Sequence, residues 1–199
     1  YTGKVQVTHF LTVLHQDIGL ETLRKGLEHK FTELKLAVLH GCHLLRPREI
    51  TRFDDSFAPK ITGDLMKLIG VDSLDWRGKL ECCGAALAGI NNDLATKLLA
   101  EKIEGALEAG AEFITPICAY CHLQLDTAQQ QLLGSGKTEK LLPVLLYPQL
   151  LGLCLGISPR ELGIRQNTTI ADEDVSRLQA LLGPPVEEKK RRRKKTEAA

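Results

Sequence analysis

The sequence predicts an α/β fold, a Rossmann-like, mostly parallel sheet flanked by helices, and three observations carry that prediction. Short apolar runs alternate with amphipathic stretches, and the runs end in loops marked by glycine or cysteine. Their spacing suits βαβ crossovers. A chain of 199 residues has room for one such domain with its own core.

The elements follow in order. Val5–Leu14 (VQVTHFLTVL) has an ambiguous period, and the next stretch, ETLRKGLEHKFTELK, is charged and amphipathic. Leu36–Leu39 is a short apolar run before Gly41, the pattern of a buried strand feeding a loop, and Cys42 sits on that loop. Pro59–Ile69 opens with proline, repeats apolar residues at helical spacing and stops at Gly70, which predicts a helix. Lys79–Cys82 is read as a short strand running into Gly84. Asn92 is then expected to cap a helix whose apolar stripe is Leu94, Leu98, Leu99, Ile103 and Leu107.

Ala111–Ile117 predicts a second buried strand, leading to Cys118 and Cys121 and a helix over about His122–Leu133. Pro143–Tyr147 is a further strand candidate, and PQLLGLCLG after it starts a helix on Pro148. Within that helix Cys154 reads as a small hydrophobe in the core, and the lone Trp76 as a shield for one end of the sheet. In open parallel sheets the loops leaving the carboxyl ends of strands converge on one edge. Cysteines far apart in sequence are thereby expected to meet.

The formal charge of +1 hides an asymmetry, because Lys189–Lys195 (KKRRRKK) holds seven positive charges and leaves the remainder at −6. An acidic body argues against a nucleic-acid-binding surface, and the basic run reads as a disordered tail. Leu141–Pro159, the longest uncharged run, is broken by prolines and glycines and is too interrupted for a membrane span. With no charged n-region and apolar h-region at the start, the expected location is cytoplasmic; the first residue, Tyr1, suggests a fragment or processed product.

Five of the six cysteines form the pattern Cys-x39-Cys-Cys-x34-Cys-x2-Cys, through Cys42, Cys82, Cys83, Cys118 and Cys121. A disulfide framework suits this pattern poorly, since five is odd and the domain needs no staples. Zinc is an alternative, with Cys118-x2-Cys121 as a half-site, but it closes at four ligands. Thiolates are the preferred ligands of iron–sulfur clusters, and five of them suit a cluster in which one or two thiolates bridge irons. Neighbouring Cys82 and Cys83 can bind neighbouring irons, with Gly84 permitting close backbone approach. His40, His43 and Arg46 lie beside Cys42, and His43 and Arg46 are candidates to offset cluster charge or receive an anionic substrate. Asp54 and Asp55 read as caps for the following segment.

The stretches HGCHLLRP (His40–Pro47), Phe53–Asp55, CCG (Cys82–Gly84), CAYCHLQLD (Cys118–Asp126) and PVLLYPQLLGLCLG (Pro143–Gly156) together resemble the cysteine-rich CCG domain of the heterodisulfide reductase B subunit, specifically its carboxyl-terminal copy. The resemblance implies a single CCG domain over residues 1–166, with 1–35 as a candidate connecting segment and 167–199 as a carboxyl-terminal extension. It implies a noncubane [4Fe–4S] cluster on Cys42, Cys82, Cys83, Cys118 and Cys121. The implied activity is reduction of a disulfide such as the coenzyme M–coenzyme B heterodisulfide. Implied partners are an amino-terminal CCG domain, the ferredoxin-like C subunit, and the FAD-containing iron–sulfur A subunit. Two other readings stay open: an electron relay in another respiratory or organic-acid oxidoreductase, and a zinc-stabilised interaction module.

Overall fold

The computed structural model describes residues 2–5 and 7–186. The basic run Lys189–Lys195 lies outside the described residues.

Strands β1 (Leu36–Leu39) and β2 (Phe113–Pro116) pair in parallel, with Leu36 opposite Phe113 and Leu39 opposite Pro116. All eight residues are buried, as a strand covered on both faces requires. Single parallel bridges extend the pair on either side, Ala37 to Leu74 and Ile114 to Val144. Among the described residues the sheet proper has two strands and is smaller than the sequence predicts. Pro143 has no N–H to give, and the helix after it begins at Tyr147, so Pro143–Tyr147 contributes a bridge where a strand is expected. Residues 79–82 also form no strand. The Glu81 amide turns back to the Gly78 carbonyl at 3.1 Å, and the Leu74 amide takes the edge position instead, bonded to the Leu36 carbonyl at 2.9 Å.

Helices cover both faces because the strand residues alternate. Leu36, Val38 and Phe113 face one apolar cluster, and Ala37, Leu39 and Ile114 face the other. The first cluster receives Leu11 and Leu23 from an amino-terminal helical stretch made of α1 (Phe10–Thr12), a π-helical segment (Val13–Gly19) and α2 (Leu20–Gly26). A short α3 (Arg48–Thr51) follows on the surface. Helix α4 (Ile61–Leu68) adds Leu65 and Met66 to the first cluster. The second is closed by α5 (Asn92–Glu108), through Leu99 and Ile103, and by α6 (Ala119–Gly134), through Leu125 and Leu132. Helices α7 (Tyr147–Cys154) and α8 (Asp172–Ala180) complete the first layer with Leu150 and Leu178.

Local signals explain most boundaries. Asp54 Oδ2 accepts from the Lys60 and Ile61 amides at 2.6 and 2.7 Å, and so caps α4 from its loop. Asp55 Oδ1 accepts from the Phe57 and Ala58 amides, both at 2.9 Å. The cap of α5 is Asn91, whose Oδ1 accepts from the Leu94 amide, one residue before the expected Asn92. Asn92 instead accepts from Gly89, a turn earlier. Its apolar stripe shifts accordingly: Ala95, Leu99, Ile103 and Ala106 are buried while Leu94 is exposed. Cys154 is fully buried, and Trp76 is buried with its indole N–H on the Val38 carbonyl at 3.0 Å. Residues 167–186 pack back onto the body, with Asn167, Thr169, Val175 and Leu178 buried. Among the described residues no helix is long and apolar enough to cross a membrane.

Candidate metal centre

The parallel pairing places two cysteine loops side by side. β1 ends at Leu39 and runs through His40 and Gly41 to Cys42; β2 ends at Pro116 and runs through Ile117 to Cys118. Gly41 turns the chain between β1 and Cys42 through the left-handed region. Its φ is +76°, and a Cβ there would lie 3.4 Å from Cys118 Cβ and from Cys121 Sγ.

Cys118 is the N-cap of α6 and Cys121 lies in its first turn, so both sit where free amides and the positive dipole end favour negative charge. The Cys118 thiol is brought down to about 5, first by a hydrogen bond from the Cys121 thiol, then by the Cys121 and Tyr120 amides and by His43. Cys83 is brought down to about 7, mainly by the same Cys121 thiol, whose sulfur is 3.1 Å away. Hydrogen bonding with the Cys118 and Cys83 sulfurs, together with burial, holds the Cys121 thiol far above the ordinary range.

Cys82 and Cys83 lie in irregular backbone between a turn over 77–80 and a 3₁₀ segment (Ala85–Leu87). The His40 amide donates to the Lys79 carbonyl at 2.9 Å and His40 Nδ1 donates to the same oxygen at 3.2 Å. Arg46 donates to the Leu80 carbonyl at 3.0 Å and to the Ser56 carbonyl at 3.3 Å. Cys82 Sγ lies 4.0 Å from Cys42 Sγ and accepts from the Gly84 amide at 3.3 Å. Burial and the nearby Cys82 sulfur push the Cys42 thiol up. The missing Cβ of Gly84 serves a different neighbour from the one expected. A Cβ there would stand 2.7 Å from the Ala95 carbonyl oxygen, so it is helix α5 that approaches closely.

The five sulfurs therefore form a pair, Cys42 with Cys82, and a trio, Cys83, Cys118 and Cys121, joined by the Cys82–Cys83 peptide. All six cysteines are free thiols. Among the described residues no three His, Cys, Asp or Glu side chains are grouped as ligands of one metal ion. A pair plus a trio, with no carboxylate among them, is a donor set that fits an iron–sulfur group of several irons. Backbone amides on the sulfurs are the contacts that tune such groups.

Of the flanking residues, His43 is exposed and acts on Cys118 through its charge, whereas Arg46 has its guanidinium committed to two carbonyls. Two residues near the centre have no signal in the sequence. His9, in the stretch of ambiguous period, packs edge-on against Phe53 at 5.4 Å and lies close enough to Cys118 to feel its charge, while burial pushes its pKa down. Lys102, a cation in the middle of α5, is 2 % exposed and bonds Glu81 beside the doublet.

Residues 36–126 match the model of the cysteine-rich CCG domain. Over 170 residues the chain is 36 % identical to the B subunit of the ferredoxin/F420H2-dependent CoB-CoM heterodisulfide reductase of Methanosarcina acetivorans, covering 84 % of this chain and 56 % of that one. It is 34 % identical over 183 residues to a protein of Archaeoglobus profundus described as like the heterodisulfide reductase B subunit, covering 89 % and 60 %. It is 33 % identical over 167 residues to the 8-methylmenaquinol:fumarate reductase membrane anchor subunit of Wolinella succinogenes, covering 84 % and 58 %. The chain spans rather more than half the length of these curated relatives. All five gathered cysteines lie inside the segment that matches the cysteine-rich CCG domain model.

Proposed function

We propose that the chain is an iron–sulfur electron-transfer and catalytic unit of the kind found in the heterodisulfide reductase B subunit. The observation that carries this reading is the convergence of five thiols at the carboxyl ends of two adjacent parallel strands. Cys42, Cys82, Cys83, Cys118 and Cys121 would hold the cluster, with the noncubane [4Fe–4S] form as the proposed type. When bound, such a group supplies electrons one at a time. Reducing a disulfide consumes two electrons and two protons and releases two thiols, so single-electron delivery is chemically useful there. The chain's own contribution is to gather the thiolates, to offset their charge with the α6 amides and His43, and to bury Cys83 and Cys121 from water.

Heterodisulfide between coenzymes M and B is the proposed substrate. The proposed partners are an amino-terminal CCG domain, the ferredoxin-like C subunit, and the FAD-containing iron–sulfur A subunit. The Rossmann-like three-layer arrangement, with the CCG unit over residues 1–166, 1–35 as a connecting segment and 167–199 as an extension, is part of the same reading, as is a cytoplasmic location.

A second reading draws on the similarity to the membrane anchor of the Wolinella enzyme, whose name places it in menaquinol:fumarate chemistry. In that reading the cluster relays electrons and no disulfide binds.

Anaerobic reconstitution followed by iron, sulfide and zinc analysis and EPR tests the proposal. Iron and acid-labile sulfide near four each per chain support a [4Fe–4S] group. One equivalent of zinc without sulfide would overturn it in favour of a zinc-stabilised module. Perturbation of the EPR signal by added heterodisulfide separates the reductase from the relay.

A further inference from the structure

The loop that carries the doublet is held together by contacts from elsewhere in the chain. Residues 79–84 run from a turn into irregular backbone with no sheet ladder, yet each is anchored. Lys79 is held by His40 and Leu80 by Arg46; Cys82 is bonded by the Gly84 amide, Cys83 meets Cys121, and Gly84 lies against Ala95. Glu81 completes the series through its side chain, which accepts from Lys102 Nζ.

The Lys102 contact differs from the others in its energetics. The lysine side chain is 2 % exposed and that of Glu81 is 51 % exposed, so a buried ammonium reaches outward to a half-solvated carboxylate. Withdrawing an ammonium from water is unfavourable, and an apolar side chain of similar length would fill the same space at lower cost. Stability alone does not account for lysine at this position. Nor does a general need for a counter-ion, because Asp75, Glu101, Glu104 and Glu108 line the same cavity of about 560 Å³. The ammonium bonds the carboxylate directly adjacent to Cys82.

We propose that Lys102 is a positioning residue for the metal centre: through Glu81 it fixes the conformation of residues 79–84 and so the placement of Cys82 and Cys83. The proposal rests on the reading that these cysteines hold a cluster. Its mechanical half, the clamping of the loop, is measurable without metal.

The test uses the full 199-residue chain with Lys102→Met, Glu81→Gln and the double variant. In the metal-free chain, hydrogen exchange over residues 79–84 is expected to rise about tenfold in Lys102→Met while β1 and β2 keep their protection. In the reconstituted chain, release of iron to a ferrous chelator is expected to quicken about fivefold, with shifted EPR g-values, and the double variant is expected to match Lys102→Met because both act through one contact. Glu81→Gln, at a half-exposed position, keeps the fold even if Lys102→Met does not, and moves each readout in the same direction. Unchanged exchange in Glu81→Gln and Lys102→Met would overturn the clamp. Unchanged iron release and g-values alongside loosened exchange would overturn its role toward the metal centre. A wild-type chain that takes up no iron and sulfide fails the cluster reading, and the exchange measurement still decides the clamp.

Discussion

The Ile117 amide donates to the Leu39 carbonyl at 2.9 Å, one rung beyond the last paired residues of β1 and β2. That bond sets the distance between two loops. Three residues after Leu39 stands Cys42, and one residue after Ile117 stands Cys118. The parallel ladder thus does for the cysteines what no local motif can do, because β1 and β2 are separated by α3, α4 and α5 in sequence. Thiol placement here is a consequence of sheet register.

Gly41→Ala tests how tightly that register is used. At φ +76° a side chain costs about 1–2 kcal/mol, and its methyl would come into contact with Cys118 and Cys121. Chemical denaturation is expected to show a loss of that size, and iron uptake after reconstitution should fall several-fold. Wild-type uptake would mean that Gly41 serves only the turn.

Cys83→Ser and Cys154→Ser separate a proposed ligand from a core thiol. Cys83 faces Cys121 at 3.1 Å, whereas Cys154 is fully buried in the layer formed by α4 and α7 and is pushed up to about 12 by burial. Iron analysis and EPR should show loss or conversion of the cluster in Cys83→Ser and a wild-type signal in Cys154→Ser. The Cys154 variant is expected to lose about 1 kcal/mol of stability for placing a hydroxyl in apolar surroundings.

How much of this was legible from sequence depends on the range of the interactions involved. Leu36–Leu39 and the capping by Asp54 are local or depend on a single buried run, and they read correctly. The residues from Lys79 to Cys82 look like a strand because apolar and charged residues alternate briefly, but tertiary bonds from His40 and Arg46 hold their carbonyls in turns. Asn91 and Asn92 are chemically equal as caps, and only the Gly89 turn decides between them. His9 and Lys102 are invisible for another reason: each reaches the centre from an element whose sequence pattern speaks only of a helix or of nothing.

Thiol reactivity in the metal-free chain should follow the local fields. Cys118, at about 5, is mostly thiolate near neutrality, while Cys42, raised from its ordinary range, stays protonated there. Both are partly exposed. At about pH 7, brief treatment with iodoacetamide and peptide mass spectrometry should find Cys118 modified well ahead of Cys42. Lowering the pH toward about 6 should leave the Cys118 rate nearly unchanged. Equal rates would mean that the α6 amides and Cys121 do not act on Cys118 as described.

Asp126, the last residue of the matched segment, joins the cysteine helix to the carboxyl-terminal part of the chain. Its two carboxylate oxygens accept from the Thr168 amide at 2.8 Å, the Thr169 amide at 3.0 Å and the Thr169 hydroxyl at 2.8 Å. The same threonine oxygen accepts from the Val144 amide at 3.0 Å, so one carboxylate organises α6, the 167–170 turn and the segment bridged to β2. Asp126→Ala removes the acceptor and strands three donors, two of them on buried Thr169. At about 1–3 kcal/mol for each buried donor left unpaired, partly relieved by water at Thr168, the expected loss is about 3 kcal/mol. Urea denaturation measures it. Hydrogen exchange should localise the loosening to residues 167–170 and 144–145, with the amides of β1 protected as before. A loss below about 1 kcal/mol would mean that water replaces the carboxylate and that the carboxyl-terminal segment is held by its apolar contacts alone.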